Sequence, residues 1–228
     1  MQAASTSVAA TGSAMRFAHR WVGPQVARLL RAQATGVVAV PAEGGVLLAA
    51  NHRSFLDHYL LAAVLHRPMR FLGKVELARG AFGRFNQMMG MVAIERGTAD
   101  LGMVDTIAEL LRAGDVMGIF PEGTRSATGE LYRFRSGMAR IAAAAQVPTV
   151  PVGLIGTAQV WPRHSRPAPR RPTAGVLRVN FGSVIPPPTS DPRSRRAFTQ
   201  QVHDAVAELC EQPVNDSFAP IAKDRTAT

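Results

Sequence analysis

The sequence predicts a single α/β domain in which one central mixed sheet is flanked by helices. Two observations indicate this fold. Short apolar runs of strand type alternate with segments of helical periodicity, and no internal repeat interrupts them. The chain of 228 residues is also long enough to bury one sizeable hydrophobic core. An amphipathic helical hairpin is predicted in front of the sheet.

The N-terminal region is predicted to contain a tail and two short helices. Residues 1–14 have neither the basic start nor the apolar stretch of a secretory signal, and their composition predicts a disordered tail. Residues 15–34 predict the hairpin, because Phe17 and Trp21 share one helical face and Gly23–Pro24 ends one helix and begins the next. The hairpin suits either attachment to an anionic membrane or simple packing with solvated arginines.

Residues 35–212 form the main predicted domain, and residues 213–228 form a C-terminal tail. The strand-like runs are GVVAV, GVLLAA, MRFLG, GMVAI, VMGIF, VPTVPVGLI and VLRVNFGSVI. Helices are predicted over residues 54–66, over residues 99–113, after Ser136 and over residues 192–210. Their boundaries follow from capping residues, which are Thr98 and Gly114 for the second helix and Ser190-Asp191-Pro192 for the last.

Charge and cysteine content limit the partners and the compartment. The formal net charge is +10 and comes almost wholly from arginine, which favours a phospholipid surface, a phosphorylated substrate or nucleic acid. Nucleic acid is disfavoured, because aromatic residues make up only 6% and no zinc or RNA-binding signature occurs. The single cysteine, Cys210, cannot form an internal disulfide, which indicates a reducing compartment. No stretch is long and apolar enough to span a bilayer.

The stretch NHRSFLDHYL allows two interpretations of His52 and Asp57. Asp57 lies three residues after Ser54, which is the spacing of a helix capping box. Alternatively, the short turn folds the imidazole of His52 over the carboxylate of Asp57, which then orients a general base. The chain has no G-x-S-x-G nucleophile motif and no spacing typical of metal ligands. A base here would therefore activate a substrate hydroxyl or a water.

Polar and basic residues follow several predicted strands. In IFPEGTRS, Gly123 permits close backbone approach, Thr124 and Ser126 offer hydroxyl groups, and Arg125 offers a planar fork to phosphate. An ordinary solvated turn would have the same composition. The carboxyl ends of strands in an open α/β sheet commonly form a ligand site. An anionic headgroup beside His52 is therefore expected, bound by the cations at three strand ends: Lys74, Arg96 and Arg125.

In their order and spacing, these segments resemble the glycerolipid acyltransferase family, which includes the 1-acylglycerol-3-phosphate (lysophosphatidic acid) acyltransferases. NHRSFLD and FPEGTRS match the first and third blocks of that family, while GMVAIERG and VPTVPVGLIGT resemble the second and fourth. The similarity spans residues 37–184. It implies an α/β fold of the glycerol-phosphate acyltransferase type in an enzyme that works on membranes, which we expect to be peripheral at the cytoplasmic face.

The resemblance also implies roles for individual residues. His52 would be the general base, oriented by Asp57, and would deprotonate an acceptor hydroxyl as it attacks an acyl thioester, without an acyl-enzyme. The phosphate-binding residues that the resemblance implies are Arg96, Glu122, Gly123, Thr124 and Arg125. Lys74 joins them in the predicted site because it is the third strand-end cation. Because Glu122 is acidic, we expect it to hold an arginine in place. Backbone N–H groups near Gly123 are the expected oxyanion donors.

The substrates are expected from the same resemblance. The sequence EGTRS favours an acceptor that already carries one acyl chain, so 1-acylglycerol 3-phosphate would give phosphatidic acid. The co-substrate would be a coenzyme A or acyl-carrier-protein thioester, with no other cofactor and with the carrier protein as a candidate partner. A different lyso-lipid acceptor and a thioesterase-like hydrolase are the alternatives. The Pro/Arg-rich loop at residues 161–172 suits donor phosphates, a membrane or plain solvent.

Overall fold

The computed structural model of the chain describes residues 2–94, 101–163 and 172–220. Its helices in chain order are α1 (Gln2–Trp21), α2 (Gly23–Leu29), α3 (Leu56–Val64), α4 (Gly80–Met88), α5 (Leu101–Arg112), α6 (Gly137–Ala145), α7 (Thr157–Val160) and α8 (Pro192–Cys210). Its strands are β1 (Gln33–Thr35), β2 (Val46–Ala50), β3 (Met69–Lys74), β4 (Met91–Ile94), β5 (Val116–Ile119), β6 (Leu131–Tyr132), β7 (Thr149–Ile155), β8 (Arg178–Phe181) and β9 (Val214–Asn215).

The central sheet is mixed, as the sequence predicts. Its strand order is β1-β8-β7-β2-β5-β3-β4. The strands from β7 to β4 are mutually parallel, whereas β8 runs antiparallel to β7 and pairs in parallel with β1. The carboxyl ends of β2, β3, β5 and β7 therefore meet at one edge of the sheet, where the loops can form a common site. Strands β6 and β9 form a separate short parallel ladder.

Helices cover both faces of the sheet and bury two hydrophobic layers. Adjacent residues of β2 point to opposite faces, so Leu47 packs in the layer with Ile107 of α5, and Leu48 packs in the layer with Leu60 of α3. All five residues of β2 are buried. Full burial of a Leu or Ile side chain contributes about 1.5–3 kcal/mol, so both layers hold β2 and the loop that follows it in place.

Several predicted helices agree with the structure. Helix α8 has the predicted bounds, and the Asp191 carboxylate caps it by accepting the N–H groups of Arg193 and Ser194. Gly114 follows α5 with a positive φ of 96°, which is the conformation expected just after a helix. Residues 95–100, including the proposed N-cap Thr98, lie outside the described residues.

The strand predicted at GVVAV is wrong. The edge strand β1 is at Gln33–Thr35 instead, and Gly36 then turns the chain with a φ of 72°. The following residues form one 3-10 turn, in which Val38 is 93% exposed. The valines of this run are therefore not part of the sheet, because the left-handed glycine ends the strand before them. The short elements α4, α7, β6 and β9 have no named counterpart in the prediction.

Both chain ends differ from the predicted tails. Helix α1 begins at Gln2 and therefore includes residues that the sequence predicts to be disordered. The alanine-rich segment continues the helix formed by Met15–Trp21. Helices α1 and α2 form the predicted hairpin. At the C-terminus, β9 pairs with β6, and the carbonyl of the buried Ala219 accepts a hydrogen bond from Arg135. Residues 213–220 are thus docked on the domain.

Candidate active site

The imidazole of His52 and the carboxylate of Asp57 are in direct contact. Strand β2 ends at Ala50, and α3 begins at Leu56, so the loop between them brings the first helical turn back beneath the imidazole. The His52 Nδ1 atom lies 2.7 Å from Asp57 Oδ2. The Asp57 side chain is fully buried, and the His52 side chain is 15% exposed. The pair therefore has a buried orienting acid and an imidazole that solvent or substrate can reach.

The Asp57 carboxylate also performs the capping role that the spacing predicts. Its Oδ2 atom accepts the backbone N–H groups of Arg53 and Ser54, each at 2.7 Å. The Ser54 hydroxyl accepts the N–H of Leu56 at 3.1 Å and donates to the carbonyl of Trp161 at 2.6 Å. An ionised carboxylate only accepts, so the contact to His52 fixes the proton on Nδ1 and leaves Nε2 with its lone pair.

The third sequence block holds the first block in position. The ring of Phe120 stacks on the imidazole of His52, with ring centroids 4.0 Å apart and an interplanar angle of 14°. The N–H of Ser126 donates to the carbonyl of His52 at 2.7 Å. On the other side of β2, the amide of Asn51 accepts the N–H of Leu154 and donates to its carbonyl. The His52 loop is thus fixed to the ends of both neighbouring strands.

The structure places Glu122 beneath the His52 loop. Its carboxylate is fully buried, and its two oxygens accept the N–H groups of His52 at 2.8 Å and Tyr132 at 3.2 Å. Burial raises the pKa of Glu122 to about 7, although the two N–H groups oppose the rise. Within the described part of the chain, the Glu122 carboxylate therefore holds backbone in place, and the Glu122 carbonyl accepts a hydrogen bond from Arg135 Nε at 3.4 Å.

The structure places Gly123 in a tight turn after β5. Its φ of 78° is left-handed, and an added Cβ would lie 3.1 Å from the Nε atom of Arg135. The glycine therefore permits a tight turn against Arg135. The N–H of Gly123 donates to the carbonyl of Phe120 at 3.0 Å, so it is not available to an oxyanion. The next residue, the half-buried Thr124, makes no hydrogen bond within the described ranges, so its N–H and hydroxyl are available.

The predicted cations are only partly described. Arg125 is half-buried in the loop after β5, and Lys74 ends the parallel strand β3, whose carboxyl end lies at the same sheet edge. The side chain of Lys74 and all of Arg96 lie outside the described residues. Arg163 is a cation that the motif analysis does not single out. Its Nη1 atom donates to the carbonyl of Arg125 at 3.0 Å.

Aromatic side chains line the start of α3 beside the His–Asp pair. Phe55 lies with its ring centroid 5.4 Å from that of Trp161 and 6.1 Å from that of Phe82. His58 contacts the rings of Phe55 and Tyr59 and is fully buried, and burial lowers its pKa to about 3. His58 is therefore neutral and part of this apolar wall, which leaves His52 as the accessible base in the loop.

The described residues contain neither a metal-binding cluster nor a membrane-spanning helix. Across residues 2–94, 101–163 and 172–220, no three His, Cys, Asp or Glu side chains are grouped to bind a metal ion. Over the same ranges, no helix has the length and hydrophobicity needed to cross a bilayer.

Comparisons with known proteins identify similar chains. Residues 31–155 match the family described as Acyltransferase. Chloroplastic 1-acyl-sn-glycerol-3-phosphate acyltransferases of Brassica napus and Arabidopsis thaliana are 36% and 34% identical over 51% and 59% of this chain. The chain spans only 34% and 36% of the length of those two relatives. The human 1-acyl-sn-glycerol-3-phosphate acyltransferase alpha is 30% identical over 82% of this chain and 66% of its own length.

A solved structure shares the fold. The crystal structure of the 1-acyl-sn-glycerophosphate acyltransferase from Thermotoga maritima superposes with a TM-score of 0.64 at 21% identity. The superposition covers 86% of this chain and 83% of the other. The sheet and its helical layers are thus shared.

Proposed function

The chain belongs to the Acyltransferase family, and on that premise we propose that it transfers a fatty acyl chain from an acyl thioester to the free hydroxyl of a lysophospholipid. The proposed acceptor is 1-acylglycerol 3-phosphate and the product is phosphatidic acid, as the names of the similar proteins suggest. The donor is a coenzyme A or acyl-carrier-protein thioester. The observation that carries this proposal is the 2.7 Å contact between His52 and the buried Asp57.

In the proposed reaction, His52 Nε2 removes the proton of the acceptor hydroxyl. The hydroxyl oxygen attacks the thioester carbon, a C–O bond forms, the C–S bond breaks, and the imidazolium returns the proton to the departing thiolate. Asp57 keeps the ring in the tautomer with the proton on Nδ1 and stabilises the imidazolium. A positioned base of this kind contributes roughly 10²- to 10⁴-fold in rate.

The tetrahedral intermediate needs a donor for its negative oxygen. The backbone N–H of Thr124 is the proposed donor, because it has no hydrogen bond in the described structure, whereas the N–H of Gly123 is already used. The loop that carries Thr124 is joined to the His52 loop through Ser126 and Glu122. The proposed base and the proposed oxyanion donor therefore lie on two loops that are hydrogen-bonded to each other.

The acceptor phosphate is proposed to bind on the β5 side of His52. Arg125 supplies a planar fork there, and Lys74 and Arg96 follow strands that end at the same sheet edge. Arg163 supports this role of Arg125 by holding its carbonyl. The acyl chains would lie against the apolar wall around Phe55, since a hydrocarbon chain is stabilised by leaving water.

Attachment to an anionic membrane surface is proposed through α1, α2 and α4. Helix α1 contacts both α2 and α4. The exposed apolar side chains of these helices are Phe17, Trp21, Val22, Leu29, Phe82, Phe85 and Met88. The exposed arginines on or next to the same helices are Arg16, Arg20, Arg28, Arg31, Arg79 and Arg84. Exposed aromatics beside arginines suit a peripheral contact with anionic lipid, which we propose at the cytoplasmic face.

The test is a direct assay of the purified chain. Acyl-coenzyme A or acyl carrier protein is supplied with a panel of lyso-acceptors, and phosphatidic acid, other diacyl products and free fatty acid are measured by mass spectrometry. The proposal expects more phosphatidic acid from 1-acylglycerol 3-phosphate than diacyl product from any other lyso-acceptor, and it expects this synthesis to fall sharply in His52→Ala. Equal release of free fatty acid with and without acceptor would instead identify a thioesterase.

A further inference from the structure

A second polar cavity lies beside the His–Asp pair, on the β7 side of β2. Its volume is about 320 Å³. It is lined by the end of β7, by α7 and by the end of α8, and among the described residues that line it Arg53 is the one cation. The loop with Arg125 follows β5, which is on the opposite side of β2. Arg125 is not among the described residues that line the Arg53 cavity, so this cavity differs from the acceptor site proposed above.

The guanidinium of Arg53 has no hydrogen-bond partner in the described structure. Its Nε atom is fully buried and unpaired, and neither terminal nitrogen makes a hydrogen bond or an ion pair. The turn at Gly129 covers it, since a Cβ added at Gly129 would lie 3.0 Å from an Arg53 terminal nitrogen. Arg53 as a whole is half-buried, and leaving its buried Nε–H without a partner is unfavourable, since a guanidinium has five N–H donors to satisfy.

The nearby acids are already occupied by other groups. Glu122 interacts electrostatically with Arg53, but both its oxygens accept backbone N–H groups. Glu211 lines the cavity and forms a bidentate ion pair with Arg178, at 2.7 and 2.8 Å. Cys210 is a buried neutral thiol, because burial raises its pKa to about 11. These groups therefore leave the guanidinium N–H donors of Arg53 to a ligand or to water.

We propose that the Arg53 cavity binds a phosphate group. A guanidinium presents a planar fork that fits two oxygens of a phosphate, and the side chain of Gln159, which makes no hydrogen bond in the described chain, adds a neutral donor at the rim. A volume of 320 Å³ is at the small end for ligand pockets and suits a phosphate with a short polar stem. Arg53 directly follows His52 in the chain, so the phosphate would lie beside the reacting groups.

Direct phosphate binding tests the site without any assay of acyl transfer. The Arg125→Ala variant serves as the parent protein, because it removes the other proposed phosphate site. Inorganic phosphate should raise the melting temperature of this parent, since a ligand that binds only the folded state stabilises it. Adding Arg53→Gln should abolish the rise. Adding Arg196→Gln, which removes an exposed arginine at the far end of α8 from Cys210, should leave it unchanged.

A second variant keeps the test valid if Arg53→Gln does not fold. Gln159→Glu changes an exposed side chain and adds a negative charge at the cavity, so it should weaken phosphate binding at least tenfold while preserving the circular dichroism spectrum. An equal phosphate-induced shift in the parent and in either cavity variant would overturn the proposal. Lack of phosphatidic acid synthesis would overturn the proposed function without affecting this result.

Competition identifies the source of the phosphate. Coenzyme A and sn-glycerol 3-phosphate are each titrated against inorganic phosphate in the same parent protein. Displacement by coenzyme A alone supports a site for the donor, and displacement by sn-glycerol 3-phosphate alone supports a second site for an acceptor headgroup. If neither compound displaces inorganic phosphate and Arg53→Gln has abolished the thermal shift, the result supports a site for free phosphate.

Discussion

The carboxylate of Glu122 accepts the backbone N–H of His52 at 2.8 Å, which joins the loop after β5 to the loop after β2. The same carboxylate accepts the N–H of Tyr132 with its other oxygen, so one buried acid holds three segments together. Because it is buried, its pKa is raised to about 7. The position of the proposed base therefore depends on a group that changes charge near neutral pH.

This raised pKa predicts a pH-dependent stability difference between the wild type and Glu122→Gln. The folded state holds the Glu122 proton up to about pH 7, whereas the unfolded state releases it near its ordinary value of 4.5. The stabilising contribution is therefore present at low pH and lost as pH rises through about 7. The stability of the wild type relative to Glu122→Gln should fall by about 2 kcal/mol between pH 5 and pH 8. Urea unfolding of both proteins measures this difference, and a constant difference would contradict the burial effect.

The lowered pKa of His58 predicts the opposite pH dependence of stability. Burial lowers its pKa to about 3, while the unfolded state takes up a proton near the ordinary value of 6.5. Its contribution to stability is therefore present above pH 6.5 and lost as pH falls toward 3. Between pH 7 and pH 5, the wild type should lose about 2 kcal/mol relative to His58→Phe, which cannot titrate. The two proteins are compared by how steeply their unfolding free energies change with pH, so that a constant difference in packing cancels. If the two curves of unfolding free energy against pH are parallel, His58 is not buried as a neutral ring.

Variants of His52 and Asp57 should separate catalysis from stability. We expect His52→Ala to lower kcat by ~10²- to 10⁴-fold with little change in unfolding free energy, since its ring is partly exposed. Asp57→Ala should also lower the unfolding free energy, by about 2–4 kcal/mol, because two backbone N–H groups of the helix cap lose their acceptor. Initial rates and thermal unfolding of the same preparations check both expectations. A fully active His52→Ala would exclude the general-base mechanism.

The hydrogen bond from Arg163 to the Arg125 carbonyl predicts that Arg163 positions Arg125. Its guanidinium donates to the Arg125 carbonyl, so Arg163→Ala should let the Arg125 loop move and raise KM for the phosphorylated acceptor more than it lowers kcat. Arg125→Ala should raise the same KM further, because it removes the proposed phosphate contact itself. Arg196→Ala is the charge-matched control. Equal KM values for Arg163→Ala and this control would show that the contact has no positioning role.

The parts of the site that could be predicted from sequence are those fixed by local spacing. Asp57 is five residues after His52 and in the first turn of α3, so a short strand-to-helix turn is enough to bring the two side chains into contact. The cap on α8 is equally local. Each depends on a few consecutive residues with known backbone preferences.

The parts that the sequence does not reveal depend on distant contacts. Glu122 is 70 positions from His52, and its residue type alone suggests a surface acid that pairs with arginine. Arg163 reaches Arg125 across 38 positions from within a Pro/Arg-rich loop whose composition does not indicate this contact. The valines at 37–40 show the converse, because a strand-like composition is overridden by the left-handed turn at Gly36. Such features follow from the sheet order rather than from local composition.

The exposed face of α1 predicts the membrane contact. Phe17 and Trp21 are 65% and 62% exposed, and the guanidinium of Arg20 lies 6.0 Å from the centroid of the Trp21 ring. The double variant Phe17→Ser/Trp21→Ser should weaken binding to phosphatidylglycerol vesicles at least tenfold, because two aromatic side chains no longer enter the interface. Val38→Ser removes an apolar side chain that is 93% exposed on the 3-10 turn and should bind like the wild type.

Vesicle sedimentation at low and high salt separates the apolar and ionic parts of this contact. Binding of the wild type should fall as salt rises, since arginines of α1 and α2 attract the anionic lipid through screened charges. The double serine variant should retain the same proportional salt dependence from a lower starting affinity, because its arginines are unchanged. If Val38→Ser weakened binding as much as the double variant, the contact surface would not be the aromatic face of α1.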